Sequence, residues 1–240
     1  MIAGALVAAA QPGQTVHVAV GEYAGQGSDI TSSGEPGSPI TFVGPGPTNP
    51  NGTAVLNAFE GPSVTISGAH DVVFKGFRLF GATGFDISNS SRISISDNIL
   101  FGPGPLTNDG TGISLTGQTS DVTIGQNDIS GYPATGVSVG PGVTGTTITT
   151  NGIGEGGPAV AATDAPDTIV TSNSIFSNCP AGIMLLGSSA GATVENNILR
   201  SDGGAPTAGC PSPVSQSGEF DRVGRFGRWD DGRLQHRLHH

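Results

Sequence analysis

Apolar residues recur along this chain with period two, in short runs that keep returning. Ile95-Ser-Asp-Asn98-Ile-Leu100 and Ile124-Gly-Gln-Asn127-Asp-Ile129 share one pattern, and so do Ile148-Thr-Thr-Asn151-Gly-Ile153, Val170-Thr-Ser-Asn173-Ser-Ile175 and Val194-Glu-Asn-Asn197-Ile-Leu199. Phe74-Lys-Gly-Phe77-Arg-Leu79 is an earlier copy with Phe at the Asn position. A second piece precedes several copies: Gly84-Phe-Asp-Ile87, Gly112-Ile-Ser-Leu115, Gly136-Val-Ser-Val139 and Gly182-Ile-Met-Leu185, with a degenerate version near Ala159–Ala162. Alternation within each piece predicts strands, not helices. Each unit then reads as a strand, a turn, a second strand, an Asn corner and a third strand.

Successive Asn lie 29, 24, 22 and 24 residues apart. A unit of that length cannot bury its own apolar face, whereas stacked units can, each pairing its backbone with the next at about 4.8 Å. Asn98, Asn127, Asn151, Asn173 and Asn197 are therefore expected to form a structural ladder, since an inward amide is costly unless it bonds a neighbour. Leucine-rich repeats are excluded because Ile and Val dominate the apolar positions, and hexapeptide helices because no six-residue period exists.

Composition agrees. Gly and Pro number 40 and 17 of 240 residues, about twice the usual share of roughly 12 %. Charged residues are only 12 %, too few for long solvated helices, and Gly has no three-residue period as collagen needs. With 35 % hydrophobic residues in periodic order, the chain is not expected to be disordered. Charge divides unevenly. Residues 1–218 hold Lys75, Arg78, Arg92 and Arg200 against fifteen acids, a net of −11, while residues 219–240 hold five Arg against four acids. The body would repel nucleic acid and anionic membrane. It would also repel a polyanionic glycan unless a cation or basic patch bridged the two. No run approaches a membrane span.

The chain resembles the right-handed parallel β-helix proteins of the pectate-lyase-like superfamily over roughly residues 2–201. The resemblance rests on Gln11-Pro-Gly-Gln-Thr-Val-His-Val-Ala-Val-Gly-Glu-Tyr23, on Ser38-Pro-Ile-Thr-Phe-Val-Gly44 and on the repeated Gly-Φ-x-Φ and Φ-x-x-Asn-x-Φ pieces. It implies one all-β, single-stranded solenoid of about eight coils over residues 1–201, with a short cap helix over residues 1–11. That helix is preferred to a signal peptide because no basic residue precedes the apolar run; a secretion signal is expected upstream. Residues 202–240 are expected to form a loop and an Arg-rich tail, either a genuine cap, disordered, or read from a shifted frame.

The resemblance also implies a secreted or cell-surface, monomeric, carbohydrate-active or carbohydrate-binding protein. Its relatives include polysaccharide lyases, which eliminate across a uronate with a basic group as base and a second basic group or cation on the acid. Lys75, Arg78 and Arg92 are the available basic groups, Lys75 and Arg92 within reach of each other across coils. Their other reading is surface charges paired with Asp71, Asp86 or Asp97. The outward positions of the first strand, where such sites sit, read Asp86 and Ser88, Ser114 and Thr116, Ser138 and Gly140, Ala161, Met184 and Leu186. Of these, Asp86, Ser114 and Ser138 are the candidate substrate contacts.

Calcium is common in the relatives, but no metal site is predicted here. Asp71, Asp121 and Asp167 recur at one turn with Arg92 and Gly145 between them, and a turn Asp can instead bond its own backbone. His17, in the first strand, and His70, in a turn, are read as structural. The epimerase and polygalacturonase motifs of the superfamily are absent from the body. Cys179 and Cys210 follow equivalent corners of two coils, as a disulfide or as unrelated thiols. The leading function is thus lyase-like action on, or binding to, a polysaccharide; the alternative is a non-catalytic cell-surface scaffold.

Overall fold

The computed structural model describes residues 10–200, apart from 26, 59–60, 105–108, 179–180 and 190. Every strand is short and every ladder is parallel. The first turn is β1 (Thr15–His17), β2 (Gly21–Gly25) and β3 (Ser28–Ile30); the second is β4 (Ile40–Val43), β5 (Ala54–Ala58) and β6 (Pro62–Ser67). The third is β7 (His70–Lys75), β8 (Phe77–Phe80) and β9 (Thr83–Ser88), and the fourth β10 (Ser91–Ser96), β11 (Ile99–Phe101) and β12 (Thr111–Thr116). The fifth is β13 (Ser120–Gly125), β14 (Asp128–Ser130) and β15 (Thr135–Val139), and the sixth β16 (Thr147–Thr149), β17 (Gly152–Gly154) and β18 (Val160–Thr163). The seventh is β19 (Ile169–Thr171), β20 (Ser174–Phe176) and β21 (Ile183–Leu186), after which β22 (Thr193–Glu195) and β23 (Ile198–Arg200) open an eighth.

Strands from successive turns stack into three sheets. Sheet A begins with β1 and β4 and sheet B with β2 and β5, each of eight strands, while sheet C holds the seven from β3 to β21. The expected solenoid is therefore present, with seven complete turns among the described residues in place of about eight. The expected cap helix falls on residues outside the described set but for Ala10 and Gln11. Arg92, expected in a turn, is the second residue of β10, because its coil re-enters the ladder at Ser91 opposite His70.

The interior is built from aligned rows. Phe42, Phe74, Ile95, Ile124, Ile148 and Val170 stack along sheet A, and Leu56, Leu79, Leu100, Ile129, Ile153 and Ile175 along sheet B. All twelve are 2 % exposed or less. The early coils are packed with rings: Phe74 lies 4.3 Å from Phe77, 5.2 Å edge-on to Phe85 and 6.0 Å from Phe42 between ring centroids. Later coils are filled by smaller groups, with Ala159, Ala162, Ala165, Thr146 and Thr168 buried.

Two corners carry polar columns. At the A–B corner a single residue takes a left-handed conformation: Gly76, Asp97, Gln126, Thr150, Ser172 and Asn196, with φ between 53° and 86°. The next residue turns inward, and from the fourth coil on it is Asn. Each amide bonds the next: Asn98 Nδ2 donates to Asn127 Oδ1 at 3.1 Å, Asn127 to Asn151 at 3.1 Å, Asn151 to Asn173 at 2.9 Å and Asn173 to Asn197 at 2.9 Å. The same oxygens accept the backbone N–H of the preceding Asn, and Phe77 N–H caps the column at Asn98 Oδ1.

The C–A corner uses hydroxyls. Ser90 Oγ accepts from Ala69 N–H, Thr119 Oγ1 from Ser90 N–H and Ser189 Oγ from Ala165 N–H. Each hydroxyl then donates to a carbonyl of its own coil. Backbone groups that no strand pairs are satisfied in this way.

Close stacking explains the Gly of the Gly-Φ-x-Φ piece. A Cβ on Gly84 would come within 2.6 Å of the Gly112 carbonyl and 2.7 Å of Leu100 Cδ2. Beside it, the Tyr132 ring is 1 % exposed, and its hydroxyl has no hydrogen-bond partner. Burial raises its pKa well above the ordinary phenol value. An unpaired buried hydroxyl costs more than its absence. Tyr132→Phe is therefore expected to raise stability by about 1 kcal/mol, read as a higher thermal midpoint; a clear loss of stability would show that the hydroxyl has a partner.

Candidate functional site

The outer face of sheet C is a shallow strip of short side chains. Its central row is Asp29, Thr65, Asp86, Ser114, Ser138, Ala161 and Met184, about 29 Å from end to end at the ladder spacing. Parallel rows flank it. Ser67, Ser88 and Thr116 follow on one side, with Ser88 Oγ donating to Ser67 Oγ at 3.2 Å, and Thr83, Thr111 and Thr135 stand at the strand entries. Period-two alternation forces this arrangement, because Phe85 and Ile87 point inward and leave Asp86 and Ser88 outside. The row changes character along its length, from carboxylate at Asp29 and Asp86, through hydroxyl, to Ala161 and Met184, and the flanking row beside it ends at the 43 % exposed Leu186, opposite Thr163.

Asp86, Ser114 and Ser138 thus lie side by side on consecutive coils. Asp29 belongs to the same row and escaped sequence reading because β3 has three residues and no Gly-Φ-x-Φ signature. The alternation of Ser28, Asp29 and Ile30, with Ile30 aligned to Ile66, is the signal that was available. Asp29 and Asp86 are two coils apart, about 9.6 Å along the ladder, with Thr65 between them.

The three basic candidates are not brought together. Lys75 ends β7 on the outer face of sheet A, beside Val43 and Ser96. Arg78 is on sheet B, its Nε donating to the Pro47 carbonyl at 2.8 Å. Arg92 is at the C–A corner, four residues before the Ser96 that pairs with Lys75, so the two cations sit at opposite ends of a strand, roughly 13 Å apart along the backbone. Arg92 grips Asp71 with two bonds, Nε to Oδ1 at 2.9 Å and Nη2 to Oδ2 at 2.8 Å. His70 Nδ1 lies 2.9 Å from the same Oδ2. Asp71 is buried and Arg92 half-exposed.

The Arg92 bonds hold the Asp71 carboxyl below its ordinary 3.8, against the opposing effect of burial; its carboxylate in turn raises Arg92. A carboxylate depressed on folding contributes stability above its unfolded pKa, and that contribution is lost as pH falls through the lower folded value. Acidification below about pH 4 is therefore expected to lower the thermal midpoint of the parent protein more steeply than that of Asp71→Asn; superimposable profiles would exclude the pair as a source of acid sensitivity.

Among the described residues no three His, Cys, Asp or Glu side chains gather as a metal would require. Asp29 and Asp86 stand two coils apart with Thr65 between them, and no third carboxylate or imidazole joins them among the described residues, whereas calcium takes about six to eight oxygen ligands. Arg92 separates Asp71 from Asp121 in the C–A corner stack, where all three have positive φ. These residues do not fit calcium. His17 lies on the outside of sheet A beside Val43. Asp128, outward on sheet B, has its carboxyl raised by burial. Cys179 and Cys210 lie outside the described residues, as does the tail.

Residues 51–199 match the family model described as a right handed beta helix region. The chain belongs to the right-handed β-helix family. Among solved structures, this β-helix is similar to an alginate lyase from Paenibacillus sp. str. FPU-7, at 13 % identity and a TM-score of 0.58 over 82 % of this chain and 94 % of that one. It is similar to pectate lyase Pel9A, at 17 % identity and 0.60 over 72 % and 48 %. A third is the catalytic unit of a GH87 α-1,3-glucanase from Streptomyces thermodiastaticus strain HF3-3, at 21 % identity and 0.62 over 81 % and 36 %. At these identities the likeness is one of fold, and this β-helix spans about half or less of the length of the last two. No curated protein matches the chain.

Proposed function

We propose that this β-helix is a carbohydrate-active protein, monomeric and placed outside the cell or on its surface, that lays an extended polysaccharide along the outer face of sheet C. The observation that carries this reading is the central row from Asp29 to Met184, long enough for several sugar residues and free of large side chains before Met184. Hydroxyls of Ser114, Ser138 and the flanking Thr rows offer both donors and acceptors. The apolar end at Ala161, Met184 and Leu186 suits the C–H faces of sugar rings. The polysaccharide lyases and glycoside hydrolases that share the fold support the same substrate class.

Binding is tested by affinity electrophoresis through soluble polysaccharides. Ser138→Trp, which raises a bulky ring on the strip, is expected to weaken retention at least tenfold. Ser94→Trp, on the outer face of sheet A, is expected to leave it unchanged. Equal retention of all three proteins would place the glycan elsewhere.

One observation favours a hydrolytic form of this reading over β-elimination. The strip holds two carboxylates, Asp29 and Asp86, two coils apart on one face, and no described basic side chain, and a carboxyl pair is what glycosidases use as general acid and base, whereas elimination needs a basic group. Reducing ends released from a bound glycan, and lost in Asp86→Asn, are the expected sign; unsaturated uronate products would overturn it in favour of a lyase.

A further inference from the structure

Resting on the reading of sheet C as the glycan face, we infer that this face selects uncharged polysaccharides and excludes uronate polymers, with Asp29 and Asp86 as the residues that determine the choice. A uronate chain carries a carboxylate on every sugar. Laid along the central row, it passes over Asp29 and Asp86 on coils one and three, so its charges meet theirs at short range.

Among the described residues nothing on the strip compensates. The described residues hold four basic side chains against thirteen acidic ones, and the four lie off the face. Lys75 is on sheet A, while Arg78 and Arg200 are on sheet B. Arg92, at the corner nearest sheet C, has its charge cancelled by the two-bonded Asp71. No third ligand among the described residues joins the central pair to hold a divalent cation there. A neutral chain meets no such penalty, and its hydroxyls and C–H faces find partners along the whole row.

The repulsion acts through solvent, so it is strongest at low salt. The screening length is about 30 Å at 0.01 M ionic strength and about 3 Å at 1 M. The test is isothermal titration of the intact chain with oligomers of equal length, in parallel: glucose, xylose and mannose oligomers against galacturonate and mannuronate oligomers, each with and without calcium. The expected result is binding of at least one neutral oligomer, with uronates roughly tenfold or more weaker at the lower salt. The gap should close at the higher salt and in the Asp29→Asn/Asp86→Asn double variant. Both positions are outward, and unchanged far-ultraviolet dichroism checks the variant's fold.

Uronates that bind as well as neutral oligomers at low salt, alone or once calcium is added, overturn the inference while leaving the glycan face intact. A gap that persists unchanged in the double variant removes Asp29 and Asp86 from the role. Binding of none of the oligomers, neutral or acidic, overturns the glycan face itself and this selectivity with it.

Discussion

Replacing Asn151 by Ala is expected to lower the thermal midpoint by about 10 °C. Asn151 is 2 % exposed, and its side chain serves five groups. The two Nδ2 hydrogens face three acceptors, the carbonyls of Ile124 and Thr149, both at 3.0 Å, and Asn173 Oδ1 at 2.9 Å, so one hydrogen is shared. Oδ1 accepts from the backbone and side-chain nitrogens of Asn127 at 2.9 and 3.1 Å. Truncation strands buried donors and acceptors in two neighbouring coils, each worth about 1–3 kcal/mol when left unpaired. Some of these groups will relax toward one another, so a loss of about 4 kcal/mol is expected. In a fold of this size 1 kcal/mol moves the midpoint by about 2–4 °C. The control is Thr123→Ala, on the outer face of sheet A, where no more than about 0.5 kcal/mol is expected. Calorimetry on both decides the matter: equal midpoints would mean that the amide column holds the corner in shape without contributing stability.

Phe74→Ala is expected to cost as much, by another route. Its ring is fully buried and touches Phe42, Phe77 and Phe85, so truncation opens a cavity that rigid strand backbones on all sides cannot close. Such changes cost about 3–5 kcal/mol. Phe74→Leu, which keeps most of the volume, is expected to recover more than half of that loss. Phe74 and Asn151 belong to coils three steps apart, about 14 Å along the axis. Their effects are therefore expected to add in the double variant within about 0.5 kcal/mol. A larger deviation, measured by denaturant titration, would show strain passing along the cylinder over several coils.

The coils were legible in the sequence because each repeats a chemical decision: β-branched residues inward, Gly where a Cβ would strike the next coil, and a polar residue at a fixed corner. Asn127 and Ile129 advertise their coil by spacing alone. The first turns were harder to read. Phe77 stands where later coils have Asn, and β3 is too short to show alternation, which hid Asp29. The hydroxyl corner was invisible for a different reason. Ala69, Ser90, Thr119 and Ser189 share a position but not a residue type, because any small side chain fits there and only some bear an oxygen.

For the candidate site, the facing of Asp86, Ser114 and Ser138 followed from period two and was legible. The placement of the cations was not. Lys75, Arg78 and Arg92 are close in sequence, yet the A–B corner parts Arg78 from Lys75, and a full turn of the coil carries Arg92 to the other end of sheet A. Sequence proximity is a poor guide to position where a few residues carry the chain from one face of a prism to another.

The narrowing of the interior from four Phe rings to Ala and Thr gives the cylinder a direction of failure. Each coil is held mainly by its two neighbours, so coming apart proceeds by peeling from an end rather than by rupture throughout. The Thr146 hydroxyl lies buried without a partner, and Ala159, Ala162 and Ala165 fill the interior there. The coils from β16 onward are therefore the ones that yield first. Within the described coils, unspooling from the β22 side would go in small steps that grow as the ring-filled coils are reached; from the β1 side it would meet its greatest resistance within the first three coils.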